Sequence, residues 1–206
     1  MNKRLVWNFE INNEPPLDFS SLPEDDSEEI RWEARYFWGS DTIITLHGLD
    51  DKFFNIALFE SKERRDRYYL LPNLDYNIKV RRDELFYKPL LIKERACQAF
   101  GKKINLSTHP ASDTLPGLPA ITVDKLLDLI NTESENVYVE KVALIYKFDT
   151  NPRIKLELAR LKIADTIYFS ACIEGRSKQL VTLISKHVFP KTPTGDYVHF
   201  LKEKSA

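Results

Sequence analysis

The stretch from Arg153 to Gly175, RIKLELARLKIADTIYFSACIEG, constrains the fold more than any other part of the chain. It divides into two runs joined by a short polar connector at Ala164 and Asp165. In the first run Arg153, Lys155 and Glu157 alternate with Ile154, Leu156 and Leu158. In the second, Thr166, Tyr168, Ser170, Cys172 and Glu174 alternate with Ile167, Phe169, Ala171 and Ile173. A period of two sends successive side chains to opposite faces, so each run predicts a strand whose two faces meet different surroundings. The polar face carries charges of both signs, and that mixture recurs along the chain.

Residues 30–38, IRWEARYFW, repeat the pattern, with Ile30, Trp32, Ala34 and Tyr36 opposite Arg31, Glu33 and Arg35. Before them, residues 1–29 read as an N-terminal arm. Leu5, Trp7 and Phe9 alternate briefly as an edge strand, Pro15, Pro16 and Pro23 interrupt it, and the acidic run Glu24 to Glu29 reads as a solvated linker. Residues 49–65 predict a helix whose basic end, Lys62, Arg64 and Arg65, suits a helix C-terminus and continues as a solvated patch to Arg67. A short strand over 67–72 leads into a hairpin turning at Arg82 and Asp83. There Asn77, Lys79 and Arg81 share one face, and Phe86 and Lys88 share a face on the return strand. Residues 97–121, with Pro110, Pro116 and Pro119, read as a long loop. Thr122 is placed to cap a helix striped by Val123, Leu126, Leu127 and Ile130, and Ser177 to cap another with Leu180, Leu183 and Ile184 inward. Between them residues 137–148 form a long strand carrying Lys141, and YVHFLKE makes a short amphipathic tail. The expected architecture is α+β, a single domain over 30–206 dominated by an antiparallel sheet.

Lys and Arg number 30 against 31 Asp and Glu, for a net charge of −1. No overall field therefore draws nucleic acid or an anionic membrane. Two cysteines, Cys97 and Cys172, form neither a disulfide framework nor a metal cluster, which points to a reducing, cytoplasmic setting. No apolar run approaches the roughly 18 residues that cross a bilayer, and the opening residues lack the apolar core of a signal peptide. His47, His109, His187 and His199 have no ligand spacing, and six glycines make no phosphate-cradling loop.

The polar faces of these strands collect seven bases, Arg31, Arg35, Lys79, Arg81, Lys141, Arg153 and Lys155, against three acids, Glu33, Glu157 and Glu174. An open sheet would turn such a face to water. Here the opposite face is bulky and apolar, as Trp32, Tyr36, Ile78, Val80, Leu156 and Phe169 show, so helices are expected to cover it and a curled sheet to hold the charges inside. Enclosed charges need partners, and the excess of bases predicts an anionic, phosphate-rich small molecule. Bases would cradle phosphate oxygens while carboxylates hold a hard cation bridging them.

The run R-W-E-A-R, then DRYYLLPNLDYNIKVRRDELFYKPLL, VEK, LELARL and ACIEG resembles, in that order over about residues 29–185, the CYTH or triphosphate tunnel metalloenzyme superfamily. The resemblance implies an eight-stranded antiparallel tunnel barrel flanked by helices. Its interior would bind a triphosphate through Arg31, Arg35, Lys79, Arg81, Lys88, Lys141, Arg153 and Lys155. It also implies Mg²⁺ or Mn²⁺ on Glu33, Glu157 and Glu174, which would be both the metal ligands and the catalytic residues. The family's first-strand E-x-E-x-K falls on Arg31, Glu33 and Arg35, so an arginine stands where a metal-holding glutamate is typical; Glu29 lies two residues earlier on the same face. The implied function is a metal-dependent hydrolase or binder of inorganic tripolyphosphate or of a nucleoside or thiamine triphosphate. The alternative is a non-catalytic relative that keeps the barrel as an anion-binding or protein-interaction module.

Overall fold

In the computed structural model, which describes residues 2–12 and 14–205, the alternating runs become strands. In chain order these are β1 (Lys3–Val6), β2 (Phe9–Ile11), β3 (Arg31–Gly39), β4 (Ile44–Leu46), β5 (Glu60–Leu71), β6 (Leu74–Arg81), β7 (Glu84–Lys88), β8 (Leu90–Lys93), β9 (Gln98–Phe100), β10 (Ile104–Asn105), β11 (Thr114–Leu115) and β12 (Ile121–Thr122). Helix α1 (Val123–Glu133) precedes β13 (Glu135–Lys147), β14 (Lys155–Ile163) and β15 (Thr166–Gly175), and α2 (Lys178–Val188) and α3 (Tyr197–Ser205) follow. Ten strands form one antiparallel sheet in the order β10-β7-β6-β5-β13-β14-β15-β3-β9-β8, curled into a half-barrel.

The convex side is apolar, and two layers cover it. Trp32, Ala34 and Tyr36 of β3, Leu156 and Leu158 of β14, and Phe169, Ala171 and Ile173 of β15 pack against Leu180, Val181, Ile184 and Val188 of α2. The small β1-β2-β4 sheet completes that core through Phe9, Ile11, Ile44 and Leu46. Farther round, Ile78 and Tyr87 meet Val123, Leu126 and Ile130 of α1. With its outside sealed on apolar residues, the sheet turns the opposite set of side chains inward.

Several expectations are corrected. Residues 49–65 are not a helix: two single 3₁₀ turns, Asp51–Phe54 and Ile56–Leu58, are followed directly by β5. The Asp50 and Asn55 side chains accept the backbone N–H groups of Lys52 and Ala57, a local bonding pattern that competes with helix propagation. From Glu60 onward β13 pairs the chain residue by residue, and the strand expected at 67–72 is the far end of β5. The loop expected at 97–121 contains β9 to β12, strands of two or three residues, too short to show alternation. In place of an eight-stranded tunnel barrel the described residues form a ten-stranded half-barrel. Pro89 divides the return strand of the hairpin into β7 and β8, and β9 and β10 extend the sheet. The acidic run is not simply solvated: Ser177 Oγ donates to Asp25 Oδ2 at 2.5 Å and the Lys178 amide to Glu28 Oε1 at 3.1 Å, placing carboxylates at the positive end of α2.

The hairpin turn falls at Arg82 and Asp83, both with positive φ (53° and 63°), the geometry of a two-residue turn that matches strand twist. Ser177 caps α2 through the Leu180 amide at 3.0 Å, whereas Thr122 makes no side-chain cap bond to α1.

The ladder does not close on itself among the described residues. β7 and β8 lie toward opposite ends of the sheet order, yet only Pro89 separates them in sequence. The chain therefore crosses the seam itself, and the Gly101 amide donates to Pro89 O at 3.0 Å. Across the same seam Lys88 reaches the Glu33 carboxylate and lies 3.9 Å from the centroid of the Phe100 ring.

Candidate functional site: a base-rich chamber

The inward residues divide by height. Toward one end they are apolar: Tyr68 and Leu70, Val137 and Val139, Leu161 and Ile163, with Phe37 and Tyr168 beside them. Helix α3 plugs this end, burying Val198, Phe200 and Leu201 among them, with the Phe200 ring stacked on Phe37 at 4.1 Å. The short amphipathic tail is thus a helix that forms the floor of the curled sheet. Asp196 fixes its entry, accepting the His199 amide (3.0 Å) and Gln98 Nε2 of β9 (2.9 Å). Tyr197, at the top of the plug, lies between the Tyr68 ring, 5.4 Å away, and the Arg35 guanidinium, 5.3 Å from its centroid.

Above Tyr197 is a chamber of about 440 Å³ lined by twelve Lys and Arg side chains and four glutamates. Ten of the eleven residues expected at the site line it: Arg31, Glu33, Arg35, Lys79, Arg81, Lys88, Lys141, Lys155, Glu157 and Glu174. The exception is Arg153. β14 begins only at Lys155, so Arg153 lies ahead of the ladder with an exposed side chain and takes no part in the lining.

The charges form a connected network. Glu157 Oε1 accepts from Lys141 Nζ at 2.5 Å and Arg35 Nη1 at 3.0 Å. Arg35 also reaches Glu33 Oε2 (3.7 Å), whose other oxygen takes Lys88. Glu174 Oε1 is approached by Arg31 Nη1 at 3.2 Å and Lys155 Nζ at 3.7 Å. Asp66 of β5, buried to 6% exposure, accepts from Lys79 Nζ at 2.9 Å and Arg81 Nε at 2.6 Å. Seven bases thus bear on four carboxylates. Arg64, Lys102 and Lys103 add charge at the wall with no carboxylate in ion-pair range among the described residues.

The helix expected at 49–65 hides the lining residues Lys62 and Arg64, while Asp66 falls just past it and Tyr68 within the strand expected at 67–72. The period-two run Lys62, Arg64, Asp66, Tyr68 is the signal that reveals them. Lys102, Lys103 and Arg176 lie outside regular strands and carry no such signal.

Protonation follows from this packing. Burial alone would raise the Glu33 and Glu157 pKa values. The Lys88 ammonium and Arg35 guanidinium outweigh it at Glu33, and Lys141 and Arg35 outweigh it at Glu157, so both stay ionised with pKa values below the ordinary range. Asp66 is likewise held down to about 2, where Arg81 and Lys79 outweigh burial. Burial pulls Lys79 down to about 8, with Asp66 opposing and Arg81 adding to the fall.

Mg²⁺ and Mn²⁺ require several oxygen ligands in near-octahedral array. Glu33, Glu157 and Glu174 do not converge into one such set. Among the described residues, the group whose ligand atoms all lie within 4.8 Å is Glu33, Cys172 and Glu174. Burial pushes the Cys172 thiol well above its ordinary pKa despite the Arg35 guanidinium, so it is a protonated thiol and a poor partner for a hard cation. Glu157 is taken up by Lys141 and Arg35, and Glu33 and Glu174 each already meet two bases. The residues present do not fit a divalent cation.

No protein-family profile matches the chain. No curated protein matches it either. Among solved structures it is similar to a proposed adenylate cyclase from Bacillus halodurans, with 11% identity, a TM-score of 0.40, and coverage of 86% of this chain and 91% of that one. A likeness at that level adds no weight to any reading of the chamber. No helix among the described residues is long and apolar enough to cross a membrane.

Proposed function

We propose that the chamber is the binding site of a phosphate-rich small anion of the triphosphate class, held within a CYTH-like barrel. The observation that carries this reading is the imbalance of the interior: seven bases on four carboxylates, in a chain whose net charge is −1. Enclosed cations without counter-ions are costly, and a linear polyphosphate supplies many acceptor oxygens in a small volume. The chamber's volume lies within the ordinary range for small-ligand sites. On this reading the more buried Lys141, Arg35 and Lys79 would meet the deeper phosphates, and the more exposed Arg31, Lys155, Lys102 and Lys103 those nearer the mouth.

Binding is favoured over metal-dependent hydrolysis because the carboxylates are engaged by bases. The hydrolytic reading keeps one supporting observation, the opposition of Glu33 and Glu174 on paired strands. The test is thermal stabilisation by inorganic tripolyphosphate, ATP and thiamine triphosphate, with phosphate release followed in parallel. At least one should stabilise the protein, and Lys141→Met should lose most of that response. Absence of stabilisation by all three would overturn the reading. Sustained phosphate release in Mg²⁺ that disappears in Glu157→Gln would replace it with the hydrolytic one.

A further inference from the structure

The proposed binding function leaves open in what form the anion enters, and the placement of the ion pairs bears on that. Glu33 and Glu174 sit opposite one another in the β3–β15 ladder, with ligand atoms within 4.8 Å, and would be the natural bracket for a cation. Each already holds bases. Lys88 comes across the seam from β7 to Glu33, and Arg31, on the same strand as Glu33, turns to Glu174 at 3.2 Å. Arg35 and Lys155 lie within 3.7 Å of the same two carboxylates. A divalent cation placed there would face four positive groups at close range, in a partly enclosed space where charge repulsion is weakly screened.

We propose that the chamber takes its polyanion in the metal-free form, with Arg31 and Lys88, seated on the two opposed carboxylates, supplying the charge that a divalent cation would otherwise bring. This rests on the anion-binding reading and adds the identity of the counter-charge. Instead of ligating a metal, the carboxylates hold the tips of long, flexible bases in place, so that less side-chain entropy is lost when the anion arrives. A metal-complexed triphosphate presents two fewer negative charges to the same bases and is the weaker ligand.

The experiment is calorimetric titration of the full chain with inorganic tripolyphosphate in resin-stripped buffer and again in saturating Mg²⁺. A resin is used because a chelator such as EDTA is itself a polyanion and would compete. Affinity in stripped buffer should exceed that in Mg²⁺, by about tenfold, which is about 1.4 kcal/mol. Binding that is as tight or tighter with Mg²⁺, or occurs only with it, overturns the proposal while leaving anion binding intact. Absence of binding in both buffers overturns the two together. Independently of any phosphate ligand, Mn²⁺ titration followed by electron paramagnetic resonance should find no saturable site in the wild type and one in Arg31→Glu, which adds a third carboxylate beside Glu33 and Glu174. Arg31 is 42% exposed at the chamber wall, so this change need not disturb folding. A saturable Mn²⁺ site in the wild type, or none in a folded Arg31→Glu, would refute the role given to Arg31.

Discussion

Substituting Glu157 by Gln tests whether the chamber's carboxylates compete with the anion for the same bases. In the free protein Glu157 holds Lys141 at 2.5 Å and Arg35 at 3.0 Å, with all three side chains between 10% and 12% exposed. Removing the charge from one member of a buried pair costs about 3–5 kcal/mol, because the partner charge is left uncompensated. Gln keeps one acceptor oxygen for one of the two bases, so the lower figure, about 3 kcal/mol, applies. For a chain of this size that is a fall in melting temperature of roughly 6–12 °C. The same change frees two cations for a ligand. Glu157→Gln should therefore gain more stabilisation from tripolyphosphate than the wild type does, closing much of the gap at saturation. Differential scanning calorimetry with and without tripolyphosphate measures both effects. A free variant melting within about 2 °C of the wild type would show that the pairs are not uncompensated when broken. A smaller ligand response in the variant would show that the anion needs Glu157 instead of competing with it.

Three further outcomes follow from the geometry. Lys79, with a pKa near 8, loses its proton as pH rises through that value, so tripolyphosphate binding between pH 8 and 10 should take up a fraction of a proton. Titrations in two buffers of different ionisation enthalpy read that uptake, and it should vanish in Lys79→Met. For the free protein the sign is opposite: an unfolded lysine, titrating at 10.5, binds more protons over this window, so this group makes stability rise with pH between 8 and 10.5. Arg153→Ala should leave tripolyphosphate affinity within about twofold, because Arg153 lies off the chamber, whereas Lys141→Met should cost about tenfold or more. Phe200→Ala, which removes the ring stacked at 4.1 Å on Phe37 in the floor, should destabilise the fold by about 3 kcal/mol in urea unfolding.

What the sequence made legible was decided by the length of the alternating runs. β3, β13, β14 and β15 each have nine residues or more, and their alternation puts Glu33, Lys141, Glu157 and Glu174 on the inward face. The hairpin at Arg82 and Asp83 was equally readable, because a two-residue turn fixes register on both sides. Only the far end of β5 is legible, since its first part, ESKERRDR, is charged on both faces and alternation between two kinds of charge has no hydrophobic contrast. Asp66, the fourth carboxylate, lies in that first part. Arg153 was misplaced by extending a correct alternation two residues beyond the ladder. The plug is legible as an amphipathic segment but not in its place. YVHFLKE is amphipathic in any setting, and only the apolar lower halves of β5, β13 and β14, brought together by curling, make a place for it.

The seam at Pro89 gives the barrel an unusual mechanical property. The chain itself and the Gly101–Pro89 backbone bond hold this closure, and Lys88, which also belongs to the binding surface, adds a charged tie across it to Glu33. An anion that meets Lys88 while it stays seated on Glu33 engages the join between the two ends of the sheet together with the chamber's centre. Ligand binding would then slow amide exchange in β8 and β9 as well as in β13 and β14. The seam is in that sense a clasp, and the ligand's own charge presses it shut.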